Sequence, residues 1–192
     1  MAKVFNLSLH RSGTQSFRAF MEWHGLKAAH WPGWDFEALG AAAVERLDGA
    51  SVWASLRDVL SEFEVFCDLP FALLYKEAFA AYPDGKFLMI LRNVCEWTAS
   101  VRGHIGARPL TPYEKFQYWS NSAERADLIG GYTDQDLEAV YLTHVAKVTN
   151  FMADNRGRFR VFWLNDRELG RQCADYLNFE LMHDFPSIDY VR

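Results

Sequence analysis

Lys3-Val4-Phe5-Asn6-Leu7-Ser8-Leu9-His10-Arg11-Ser12-Gly13-Thr14-Gln15-Ser16 runs from an apolar, strand-like stretch through a short polar loop into a helix that reads from about Gly13 to His24. Where a strand feeds a helix in this way, the first turn presents unpaired backbone N–H groups and the positive end of the helix dipole. Such a junction is a seat for phosphate or sulfate. Gly13 lets the backbone approach an anion, Ser12, Thr14 and Ser16 add hydroxyl donors, and Arg11 adds a charged fork of N–H groups. Taken by itself, Ser-Gly-Thr also reads as a simple turn with a cap.

Outward from this junction, short apolar runs alternate with longer periodic segments, the pattern of strands joined by crossover helices. Strands are expected at Lys3–Leu9, Leu26–His30, Glu64–Cys67, Lys86–Leu91 and Phe159–Leu164, with Lys-Phe-Leu-Met-Ile-Leu at Lys86–Leu91 suited to a central parallel strand. Two helices broken near Asp48-Gly49 are expected between Asp35 and Leu60, and Pro70 is placed to open a helix running to about Tyr82. Further helices follow at Val94–His104 and from about Asn165 to Asn178. Thr111-Pro112-Tyr113-Glu114 and Thr133-Asp134-Gln135-Asp136 are capping boxes, and the helix after the second carries an apolar stripe that includes Tyr141 and Val148. The expected fold is a three-layer α/β domain of the P-loop NTPase-like type, residues 1–192, with a central, mostly parallel sheet flanked by helices.

Composition narrows the classes. The chain has 192 residues, half of them hydrophobic and 23% charged, which is enough apolar material for a core without disulfides or metals. No apolar run reaches the length of a membrane span and no secretory leader pattern opens the chain, so a cytoplasmic protein is expected, with no membrane partner. Cys67, Cys95 and Cys173 are odd in number and far apart, which argues for reduced thiols. A net charge of −5 excludes a nucleic-acid partner held by a bulk positive field, while leaving room for a small anion held by local cations.

A Walker loop requires GxxxxGK[ST]. With Gly13 as the second glycine, Ser8 replaces the first, Thr14 stands where the lysine belongs and Gln15 where the magnesium-binding hydroxyl belongs. A phosphate-binding loop that works without a metal is expected, and ATP or GTP hydrolysis is disfavoured. A second constellation is Arg92, at the carboxyl end of the central strand, with Ser100 eight residues on in the following helix. Ligands of open α/β sheets bind outside the carboxyl ends of strands, so both junctions should open on one crevice.

Together these segments resemble the signature of sulfotransferases that use 3′-phosphoadenosine 5′-phosphosulfate (PAPS). In that family P-[KR]-S-G-T-[TS] grips the 5′-phosphosulfate, and an Arg followed eight residues later by Ser grips the 3′-phosphate. The first motif here reads His10-Arg11-Ser12-Gly13-Thr14-Gln15, with His for Pro and Gln at the last position, and the second runs from Arg92 to Ser100. Asp68-Leu69-Pro70, Tyr82-Pro83-Asp84 and the Phe159–Phe179 segment are similar to a branch of small sulfotransferase-like proteins.

The resemblance implies sulfuryl transfer from PAPS to a hydroxyl or amine acceptor, with Arg11, Ser12, Gly13, Thr14, Gln15, Ser16, Arg92 and Ser100 holding the nucleotide and no metal. Arg11 and the first-turn N–H groups would stabilise charge on the leaving phosphate. Asp68, at a strand's carboxyl end, is the first candidate for the base, and reads equally as a helix N-cap. His104, four residues after Ser100, is the second, and reads also as a solvated histidine at a helix end. His10 reads as part of the loop's shape, and His30 either faces the acceptor or sits in a turn. Trp31, Trp34, Trp97 and Trp119 follow the crevice elements in sequence and could wall an apolar acceptor pocket. The family's basic C-terminal loop has only Arg192 as a counterpart in the tail, with Arg102 and Arg108 lying nearer the second motif. The alternatives are a non-catalytic nucleotide-binding P-loop module and, less favoured, a P-loop kinase or NTPase.

Overall fold

The computed structural model describes residues 2–33 and 41–187, so Trp34, the start of the helix expected from Asp35, and Arg192 lie outside it. Five strands form one sheet: β1 (Val4–Asn6), β2 (Ala28–His30), β3 (Val65–Cys67), β4 (Lys86–Leu91) and β5 (Phe159–Trp163). Their spatial order is β2-β3-β1-β4-β5, and every pairing is parallel. Parallel neighbours need crossover connections, and the helices that supply them cover both faces of the sheet.

Alternation along the strands divides the core into two layers. Phe5, Phe66, Phe87 and Met89 face one side, where they meet Val52 of α2 (Gly49–Ser55), Val59 and Leu60 of α3 (Arg57–Glu62), and Tyr75 and Ala78 of α4 (Tyr75–Ala81). Phe5 stacks between Phe66 and Phe87 with ring centroids 4.8 and 5.3 Å away, so much of the aromatic content is spent inside the core. Val4, Val65, Leu88 and Ile90 face the other side, against Phe17, Phe20 and Met21 of α1 (Thr14–Trp23) and Leu169 and Cys173 of α8 (Leu169–Leu177).

A third cluster lies beyond the carboxyl end of β1. It joins Leu9 to Trp97 and Val101 of α5 (Val94–Ile105), Tyr118 of α6 (Pro112–Asn121), and Leu137, Val140 and Tyr141 of α7 (Asp134–Phe151). Both capping boxes form as expected: the Thr111 and Thr133 hydroxyls accept from the Glu114 and Asp136 N–H groups, and each carboxylate accepts from the cap residue's own N–H.

Two elements differ from expectation for visible reasons. Strand β1 ends at Asn6 rather than Leu9, because Ser8 takes over with its side chain: its hydroxyl accepts from Ile90 N–H at 2.7 Å where a carbonyl would have continued the ladder. The segment after Pro70 is first a 3₁₀ turn, Phe71–Leu73, and only then α4, and the Leu69–Pro70 peptide is cis. No helix among the described residues is long and apolar enough to cross a membrane.

Candidate active site

The carboxyl ends of all five strands open on one cavity of about 910 Å³. Arg11, Gly13, Thr14, Gln15 and Ser16 line it from the β1–α1 loop, His30 and Trp31 from β2, Asp68 from β3, and Arg92, Ser100 and His104 from β4 and α5. The opposite wall comes from the β5–α8 loop, Leu164 to Glu168, and from Asp184 to Ser187.

The residues that follow β1, β2 and β3 are held in left-handed backbone: Arg11 at φ 65°, Trp31 at φ 50° and Asp68 at φ 69°. For non-glycine residues this conformation costs free energy, and its occurrence at three neighbouring strand ends marks a crevice held in shape by the surrounding packing. Gly13 is also left-handed, at φ 77°, and a Cβ there would stand 2.5 Å from Leu164 Cδ1. The glycine therefore serves both the turn and the close approach of the β5 loop. Helix α1 has no side-chain cap, which leaves its first-turn N–H groups turned toward the cavity end of the helix. Ser12 is placed otherwise, with its side chain buried beneath the loop and its N–H donating to Leu9 C=O.

The two motifs identified in the sequence meet at Arg11. Arg11 Nε donates to Ser100 Oγ at 3.1 Å, and Arg92 Nη1 donates to Arg11 C=O at 3.0 Å. Arg92 is itself held by Tyr141, whose hydroxyl accepts from Arg92 N–H at 2.8 Å and donates to Arg92 C=O at 3.0 Å. Comparison with protein families then decides the assignment, because residues 3–170 match the family described as a sulfotransferase domain. The chain belongs to the sulfotransferase family. A crystal structure of a sulfotransferase from Alicyclobacillus acidocaldarius shares the fold, with a TM-score of 0.61 at 19% identity over 98% of this chain and 86% of that one. No curated protein matches the chain.

Three histidines line the cavity of this sulfotransferase-family chain and a fourth is buried outside it. His10 is buried, its Nε2 2.9 Å from the Tyr118 hydroxyl and its carbonyl accepting from Trp97 Nε1 at 2.7 Å. Burial lowers its pKa to about 4, so it stays neutral and shapes the loop. His104 is exposed near the end of α5, as a solvated helix-end histidine would be, and it also lines the cavity; partial desolvation, and then the Arg11 charge, lower its pKa. His30 Nε2 lies 3.0 Å from Asp68 Oδ2 and 3.1 Å from Thr14 Oγ1, and is the contact that joins the ends of β2, β3 and α1. His144 is buried outside the cavity lining, 2.8 Å from Leu7 C=O.

Asp68 makes no N-cap bond to the following turn. Burial raises its pKa, but the charge and hydrogen bond of His30, with His10 behind, outweigh it and leave the carboxyl below its ordinary value. Of the tryptophans, Trp31 lines the cavity, Trp97 is fully buried in the core, and Trp119 spends its indole N–H on Ala126 C=O. Arg102 and Arg108 are engaged with Asp134 and Glu114, respectively, and neither lines the cavity. Arg167 does, and sequence reasoning passed over it, together with Tyr141 and the partnership of His30 with Asp68. The strand-end rule that selected Asp68 applies equally to His30 and to the loop after β5.

Proposed function

We propose that the chain transfers a sulfuryl group from PAPS to a hydroxyl or amine acceptor by in-line, metal-independent displacement. The observation that carries this reading is the Ser100–Arg11–Arg92 linkage, which joins the β1–α1 loop and a second arginine at one wall of a cavity roomy enough for a nucleotide. The 5′-phosphosulfate would lie against Gly13, Thr14, Gln15 and Ser16, and the 3′-phosphate against Arg92 and Ser100. Thr14 and Gln15, in place of the Walker lysine and metal-binding hydroxyl, suit an anion held by N–H groups and arginine alone.

When bound, the phosphosulfate supplies the sulfuryl group and a good leaving group. The protein's part is to hold it in line and to stabilise charge growing on the departing phosphate, which falls to Arg11 and the first turn of α1. The acceptor's proton must also be received, and Asp68 and His104 both line the space from which an acceptor would approach. Calorimetric titration with 3′-phosphoadenosine 5′-phosphate (PAP), with and without magnesium, tests the reading. Metal-independent binding that weakens in Arg92→Ala is expected, and binding of ATP only with magnesium would overturn it.

A further inference from the structure

Resting on the reading that the chain is a PAPS-dependent sulfotransferase, we propose that His30 receives the acceptor's proton through Nδ1 and that Asp68 is the residue that positions it. Asp68 directly follows β3 and His30 ends β2, adjacent parallel strands in which His30 is paired with Cys67, so sheet register brings the two residues together. The carboxylate offers little to an acceptor directly, since Oδ2 is taken by His30 and Oδ1 is buried. His30, by contrast, has both polar contacts on Nε2, and among the described residues Nδ1 has no hydrogen-bond partner.

An ionised carboxylate only accepts, so its approach to Nε2 places the ring proton there and leaves Nδ1 with its lone pair. The same Nε2–H leans on Thr14 Oγ1 as an acceptor, which leaves the Thr14 hydroxyl proton to point at an anion on the α1 terminus. His30 is thus tied to the donor cradle by one contact and to Asp68 by the other. His30 and Trp31 also line a second cavity, of about 330 Å³, whose wall includes Ala29, Val59 and Phe63. His30 therefore borders both cavities.

In the transfer step the acceptor oxygen or nitrogen forms a bond to sulfur as the bond from sulfur to the bridging phosphate oxygen breaks. The leaving PAP keeps that electron pair, the acceptor proton passes to Nδ1, and the resulting imidazolium lies against the Asp68 carboxylate until solvent removes the proton. Asp68 is the charged group in contact with His30; the smaller cavity that His30 lines also carries Arg18 of α1 and Asp58 and Glu62 of α3, and the larger one Arg11 and Arg92. His104 is less suited, because the Arg11 guanidinium opposes a second positive charge beside it.

The experiment compares wild type, His30→Gln and Asp68→Asn in three readouts: PAP affinity by calorimetry, PAP release from PAPS with a set of small phenols, alcohols and amines, and the ¹⁵N spectrum of the His30 ring. Loss of PAP binding in wild type would sink the donor reading. With binding intact, His30→Gln should lower kcat by about 100- to 10,000-fold with little change in the KM for PAPS, and abolish the acid limb of the rate profile. Asp68→Asn should shift the ring from the Nε2–H to the Nδ1–H form and lower kcat without loss of PAP affinity. Transfer to none of the acceptors by a wild type that binds PAP would overturn the proposal, as would wild-type rates in His30→Gln or an unchanged tautomer in Asp68→Asn. Imidazole should restore part of the rate to His30→Gly, which a purely structural role would not allow.

Discussion

Arg11 ties two stretches of chain 89 positions apart through its bond to Ser100, and its carbonyl receives Arg92. A charged hydrogen-bond donor contributes roughly 1.5–3 kcal/mol, so Arg11→Ala should weaken PAP binding about ten- to hundredfold, measured by calorimetry. Gly13 shows which of two constraints matters more. Its left-handed backbone penalises any Cβ, whereas the Leu164 methyl that a Cβ would strike is the far end of a flexible side chain. Gly13→Ala should therefore destabilise by about 1–2 kcal/mol in urea unfolding, and adding Leu164→Ala should not restore it. The placement of Gly13, Arg11 and Arg92 was legible from local sequence, since each belongs to a strand–helix junction. His30 and Tyr141 were not legible, because their roles come from partners 38 and 49 positions away.

At the scale of elements, β4 spans the residues its apolar run predicts, because a strand buried on both faces needs no alternation to declare itself. The capping boxes of α6 and α7 form for an equally local reason, with both partners inside one turn. Thr111→Ala should lower stability by about 1 kcal/mol, read as a lower thermal midpoint, with nucleotide affinity unchanged. Helix α7 does more than its apolar stripe announces. Tyr141 projects from it to satisfy both backbone groups of Arg92, so Tyr141→Phe should cost about 1–3 kcal/mol and also weaken PAP binding, whereas a change confined to the core would affect stability alone. Pro70 is the contrary case. Its position favoured a helix start, but a 3₁₀ turn, Phe71–Leu73, follows it and α4 begins only at Tyr75.

At the scale of the whole molecule, the buried histidines give the fold an acid sensitivity. His10 and His144 have pKa values lowered from 6.5 to about 4 by burial. The unfolded chain binds these protons near pH 6.5 while the native chain refuses them until about pH 4, so stability falls as pH drops through that window and is level above it. Each contributes a loss on the order of 1–3 kcal/mol, and Asp68, whose carboxyl is lowered from 3.8, adds a further loss only at still lower pH. Urea unfolding of His144→Gln from pH 7 to pH 4 should show a shallower decline than wild type. The sequence by itself determined the α/β class, the strand–turn–helix junction at Gly13 and the central strand, because all of these are written in local periodicity and spacing. Only the tertiary structure decided that Arg11 bridges the two motifs, that His30 meets Asp68, and that Arg167 rather than Arg102 or Arg108 lines the cavity. Those choices depend on the order β2-β3-β1-β4-β5, which brings distant strand ends together through a register that no local stretch of sequence encodes.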